Sequence, residues 1–210
     1  MLQLKPLTKS ITGIIPGGIS VIDFAVVAET DHISAKEILN VLVANKIGSF
    51  EGEIINFNQG DKLRAALFAI EQGAPIEEVS AYLSWRDFEG IVGEILQSKD
   101  FKIIKNLVLT KPRMEIDVIG VNHGISLLID CKHWKRLSQS ALRGIVKKQV
   151  ERVKHYVAKT QDVIAVPAIV TLYQEEVSFI DKVPIIPILQ FSSFVDEFYG
   201  NLDELKTIET

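Results

Sequence analysis

The tightest constraint on this chain is a pair of apolar runs that each carry a carboxylate near one end. The first reads Arg113-Met114-Glu115-Ile116-Asp117-Val118-Ile119-Gly120, the second Ile125-Ser126-Leu127-Leu128-Ile129-Asp130-Cys131-Lys132, and Val121-Asn122-His123-Gly124 joins them. Two β-rich runs linked by an Asn-x-Gly cluster predict a hairpin. Side chains alternate along a strand, so Glu115 and Asp117 share a face opposite Ile116 and Val118, while Asp130 and Lys132 share a face with Leu128. The charges therefore collect at one end of the hairpin. Such a cluster is costly to bury unless it is paired or bound to metal, so it is either a structural ion pair or a site.

The flanking segments predict an α/β fold. Upstream, Ser84 to Leu96 has apolar residues at 88, 91, 92, 95 and 96, with Ser84 as N-cap and Asp87 three residues on, which is the pattern of an amphipathic helix. Glu89 lies beside its apolar stripe. Phe101 to Leu109 reads as the first strand of the sheet. Downstream, a helix from Ser138 or Ser140 to Ala158 carries the stripe Leu142, Ile145, Val146, Val150, Val153 and Val157, with Gln149, Arg152 and Tyr156 on another face. Ala165 to Leu172 is a buried-strand run, Val177 to Ile180 a short strand, and Val183 to Leu189 a strand whose prolines favour an edge. Phe191 to Phe198 reads as helix. A strand-helix-strand connection through 138–158 requires parallel pairing and a right-handed crossover.

Glu89 on a helix, then Glu115-Ile116-Asp117, then Asp130-Cys131-Lys132-His133-Trp134, resembles the PD-(D/E)XK nuclease superfamily, in the style of type IV restriction endonucleases and archaeal Holliday-junction resolvases. The resemblance covers about residues 84 to 195. It implies a restriction-endonuclease-like mixed sheet flanked by helices. It also implies Asp117 as central metal ligand, Asp130 as second ligand, Lys132 as catalytic lysine, Glu89 as the helix carboxylate and Glu115 as an extra ligand. Ile116 stands where the name-giving proline would be, and Asp130 replaces the commoner glutamate. The implied activity is that of a divalent-metal-dependent endodeoxyribonuclease in restriction, repair or recombination. The alternatives are a non-catalytic DNA-binding or regulatory protein keeping the fold, and an RNA-directed nuclease. Oxygen ligands suit Mg²⁺ or Mn²⁺, which activate water for phosphodiester hydrolysis, and no small-molecule cofactor is expected.

Charge distribution adds a partner. The whole chain has net charge −4, yet residues 130 to 160 hold nine Lys or Arg against two acids. Lys135, Arg136, Arg143, Lys147, Lys148, Gln149 and Arg152 are the expected DNA contacts, since phosphate neutralisation releases counterions. The other reading is a solvated basic helix. Trp134 can stack on a base or cap the core. Cutting both strands of a duplex needs two sites, so a homodimer is expected.

Residues 1 to 80 form a separate unit in this reading, ahead of a nuclease domain at 81 to 210. Helix from 20 to 28, helix from Ser34 to Asn45, a two-stranded wing from Ile47 to Phe57 around Glu51-Gly52, and helix from Asp61 to Gln72 resemble a winged-helix domain. A short helix, Ile76 to Leu83, follows. With only Lys36 and Lys46 on its second helix, protein–protein contact is as good a role as groove binding. The single cysteine, Cys131, fits a reducing cytoplasm. No apolar run reaches the ~18 residues of a membrane span, and no signal peptide is read at the start.

Overall fold

The computed structural model describes residues 4–132, 138–160, 163–172 and 177–209. Contacts divide the chain into two compact units, Met1–Ile91 and Val92–Thr210. The division falls within the helix Trp85–Gln97.

Unit 1 is built from α1 (Leu4–Ser10), β1 (Gly17–Ser20), α2 (Val21–Val27), α3 (His32–Ala44), β2 (Ser49–Glu51), β3 (Ile54–Phe57), α4 (Asp61–Glu71) and α5 (Ile76–Ser80). The wing is present, and β1 adds a third antiparallel strand in the order β1-β3-β2. Leu7, Ile11, Phe24, Leu39, Leu42, Ile55 and Leu63 are fully buried in its core. The cap of α3 is Asp31, not Ser34: its carboxylate accepts the N–H groups of Ile33 and Ser34 and the Ser34 hydroxyl. Asp31 stands just before the first helical residue with its carboxylate toward the free N–H groups of the first turn, whereas Ser34 already lies inside the helix. Gly48 enters β2 with φ of 74°, where an added Cβ would sit 2.8 Å from the Phe57 ring. Buried Asp61 closes the same corner, accepting the N–H of Asn58 at 2.7 Å and of Gly48 at 3.2 Å, with Arg64 on its other oxygen at 2.7 Å.

Unit 2 contains the end of α6 (Trp85–Gln97), β4 (Lys102–Leu109), β5 (Met114–Asn122), β6 (Ile125–Lys132), α7 (Gln139–Val157), β7 (Ile164–Thr171), β8 (Ser178–Ile180), β9 (Val183–Pro187) and α8 (Ile188–Glu197). They form a six-stranded mixed sheet, β4-β5-β6-β7-β9-β8, flanked by helices. The β5–β6 turn uses His123 and Gly124, both at positive φ, as a two-residue hairpin requires. From β6 through β7 to β9 the strands are parallel, with α7 as the crossover. Ile119, Leu128 and Ile169 face α7, where they meet Val153, Tyr156, Leu142 and Val146. Leu96 and Phe101 lie on the opposite face, against Gly120, where an added Cβ would be 3.0 Å from either side chain. Phe198, just past α8, packs on Phe101 at 6.3 Å between ring centroids.

Three expectations are corrected by this arrangement. β9 is an interior strand and the three-residue β8 forms the edge. Pairing of β9 with β7 runs only from Ile185 to Pro187, so Pro184 needs no donor toward β7 and stands opposite Phe179 in the ladder with β8, while Pro187 takes the last position beside β7. The strand also ends at Pro187, which caps α8, so that helix starts at Ile188 rather than 191. On α7 the buried stripe is Leu142, Val146, Gln149, Val153, Tyr156 and Val157. Gln149 and Tyr156 therefore point inward with the apolar residues. Ser138 is the cap of that helix, accepting the Ala141 N–H. Among the described residues no helix is long and apolar enough to cross a membrane.

Replacing Asp61 by Ala should cost about 2–3 kcal/mol, because two backbone N–H groups and a guanidinium lose a charged acceptor. Urea unfolding followed by circular dichroism measures the loss.

Candidate functional site

The two carboxylates meet because β5 and β6 part company. Their antiparallel pairing ends at Val118↔Ile129, and the same register carried one step further brings Asp117 opposite Asp130. On the other side, β4 pairs with β5 on both sides of Asn106 but not at it, and Asn106 takes φ of 53° opposite Asp117. Ile116 and Ile119, three residues apart, both enter the cluster under α7, so strict alternation fails at Asp117. Where the ladder opens, the Cys131 N–H is donated to Asp117 Oδ2 at 2.7 Å. A side chain has replaced the missing backbone acceptor.

Asp130 is 2 % exposed and sits between two cations. Arg152 donates to its Oδ1 at 2.8 Å, and Lys132 Nζ lies 2.7 Å from its Oδ2. The Lys132 contact is an ion pair without hydrogen-bond alignment, since Oδ2 has no hydrogen-bond partner among the described residues. Lys132 donates instead to the Cys131 carbonyl at 3.2 Å. Fully buried Gln149 ties the helix to the strand: its Nε2 donates to the Leu128 carbonyl at 2.8 Å, and its Oε1 accepts from Arg152 at 3.3 Å. Burial pushes the Asp117 carboxyl above the usual carboxylate range, and the charge of Asp130 pushes it further, against the Cys131 N–H, Lys132 and Arg152.

Asp117 and Asp130 present oxygen donors of the kind a hard divalent cation takes. Two carboxylates from adjacent strands lie within each other's field, burial and then the charge of Asp130 raise the pKa of Asp117, and the buried Asp130 Oδ2 has no hydrogen-bond partner among the described residues. Among the described residues no three His, Cys, Asp or Glu side chains are grouped to hold a metal. A two-carboxylate site suits Mg²⁺, which keeps several of its waters.

The remaining candidates are spread more widely. Glu89 is 5 % exposed on the part of α6 that belongs to unit 1. Glu115 is exposed, opposite Val108 on β4. It lines a groove of about 610 Å³ with Arg113, Lys147, Lys148, Glu151 and Arg152, between α7 and the turn joining β4 to β5. That turn is anchored on the helix through the Thr110 carbonyl, which accepts from Lys159 and contacts His155 Nε2. Arg143 and Lys147 line a second hollow, beside Phe179 and Asp181. Lys135 and Arg136, with His133 and Trp134, lie outside the described residues. Arg152, expected on the phosphate track, is engaged with Asp130. Arg113 was not anticipated as part of the groove; a cation heading the first strand was its only sequence signal.

No protein-family model matches the chain, and no curated protein matches it. Among solved structures it is similar to AF1548, a protein of unknown function, at 21% identity over 41% of this chain and 46% of that one, with a TM-score of 0.32. Protein VC1899 from Vibrio cholerae is 15% identical over 96% and 52%, with a TM-score of 0.42. Can2 from Sulfobacillus thermosulfidooxidans, in complex with cyclic tetra-adenylate, is 12% identical over 94% and 50%, with a TM-score of 0.36. The chain spans about half the length of each. Likenesses at these scores carry no function to this chain.

The raised Asp117 sets a pH dependence. A carboxyl whose folded pKa exceeds its unfolded value favours folding while protonated, and that contribution is lost as pH rises through the folded value. Asp117→Asn keeps an acceptor for the Cys131 N–H without the charge. Without divalent metal it should melt above wild type near pH 7, and the gap should close below about pH 4, where the unfolded carboxyl also protonates. Thermal unfolding across pH tests this; a constant gap would count against the assignment of the shift.

Proposed function

We propose that this chain is a divalent-metal-dependent endodeoxyribonuclease, with unit 2 a restriction-endonuclease-like domain of the PD-(D/E)XK kind and unit 1 winged-helix-like. The observation that carries the reading is the meeting of Asp117 and Asp130 at the opened end of β5 and β6, beside Lys132, with Asp130 Oδ2 buried and without a hydrogen-bond partner among the described residues. Asp117 and Asp130 would hold Mg²⁺ or Mn²⁺, with water completing the coordination shell. The bound cation supplies a Lewis acid for the phosphoryl oxygen and a nucleophilic water at neutral pH.

The chain's own residues do the rest. Lys132 orients the attacking water or offsets charge developing on the phosphate. Gln149 and Arg152 hold Asp130 in place through a path that starts at a backbone carbonyl, so the carboxylate is pre-oriented. The groove lined by Arg113, Lys147 and Lys148 runs from Arg152 and suits a phosphate backbone. Lys135, Arg136 and Arg143 would extend the track, and a homodimer would supply the second site for a double-strand cut.

One observation favours a second reading. Asp130 already has two cations on it, which balance the two carboxylates. Such a cluster can be purely structural, and the protein would then be a non-catalytic DNA binder.

Purified protein with Mg²⁺ or Mn²⁺ should nick at least one of single-stranded, duplex, branched or modified DNA, and do so better than RNA. Asp117→Ala and Lys132→Ala should each slow cleavage by about a hundredfold or more while the fold survives by circular dichroism. Binding without nicking on every substrate would establish the second reading. Cleavage that survives both substitutions would remove the site assignment.

A further inference from the structure

β6 and β7 run parallel with Asp130 opposite Ile169 and Lys132 opposite Thr171. Register partners on neighbouring strands point to the same face, about 4.8 Å apart. The register holds to the end, since the Leu172 N–H is donated to the Lys132 carbonyl at 3.1 Å. Thr171 is 2 % exposed, and its Oγ1 has no hydrogen-bond partner among the described residues. An unpaired hydroxyl in the interior is unfavourable, and a valine of the same shape would avoid it. Ser126 Oγ also has no hydrogen-bond partner among the described residues, but it lies four residues before Asp130 and six before Lys132 along β6.

Lys132 has three N–H donors and spends one on the Cys131 carbonyl. Its ammonium also occupies Asp130 Oδ2, an oxygen a divalent cation would need. A cation there repels the ammonium, which then requires another acceptor close by. We infer that Thr171 is a further positioning residue of this site, its hydroxyl accepting the Lys132 ammonium when Asp117 and Asp130 hold a divalent cation. The inference rests on the metal-site reading above. Lys132 would then stay beside the carboxylates instead of moving out to solvent.

The test is a Mn²⁺ titration of the full chain followed by thermal unfolding, in wild type, Thr171→Val, Thr171→Ser, Lys132→Met and the Thr171→Val/Lys132→Met double variant. Without metal, Thr171→Val should melt at or above wild type. With Mn²⁺, its midpoint for stabilisation should rise about three- to tenfold, the worth of one hydrogen bond, and Thr171→Ser should restore it. In the Lys132→Met background, Thr171→Val should shift the midpoint no further. Equal midpoints in wild type and Thr171→Val would overturn the inference alone. So would an equal shift with and without the lysine, or a lower melting temperature for Thr171→Val without metal. A wild type that Mn²⁺ does not stabilise would overturn the metal-site reading and this inference together.

Discussion

The separation of β5 from β6 beyond Val118↔Ile129 is the constraint on which the candidate site depends. A hairpin that stayed paired would satisfy the Cys131 N–H with a backbone carbonyl and leave Asp117 as one more side chain on a strand. Because the ladder opens there, Asp117 turns inward to accept that N–H, and its carboxyl comes into the field of Asp130. An unsatisfied backbone donor and a repelled carboxylate are both costly, and one contact relieves the first while creating the second. The site is therefore built into the way the sheet ends.

Around this opening, α7 does two jobs with one face. Val146, Val153 and Val157 close the core, while Gln149 and Arg152, on the same side, reach the strand carbonyl and Asp130. A buried amide linking a main-chain carbonyl to an arginine holds the carboxylate by hydrogen bonds at every step, which side-chain packing alone does not provide. The exposed side of the helix carries Lys147 and Lys148 toward the groove. Scaffold and charged track are thus two faces of one helix.

Much of the fold was legible in the residues. The hairpin, the crossover helix, the wing and the short strand at Ser178–Ile180 follow from periodicities and turn chemistry that are local. The edge position expected for Val183–Pro187 failed because a proline penalises only a donor that a neighbour needs, and pairing with β7 starts after Pro184, which stands opposite Phe179 in the ladder with β8. The inward placement of Gln149 and Tyr156 was hidden because polarity argued for solvent, while the partners that satisfy Gln149 lie 21 residues away along the chain or on the next turn.

The sequence by itself determined that carboxylates and a lysine would stand at the end of an apolar hairpin, and that a basic amphipathic helix would follow, since both rest on short-range alternation and spacing. Only the tertiary structure decided that Asp117 would bond Cys131, that Arg152 would be held on Asp130 rather than stand free along a phosphate track, and that Thr171 would lie beside Lys132. Those outcomes depend on strand order, register and the point where pairing stops. Such quantities are set by how distant segments compete for the same hydrogen bonds, and no local pattern encodes that competition.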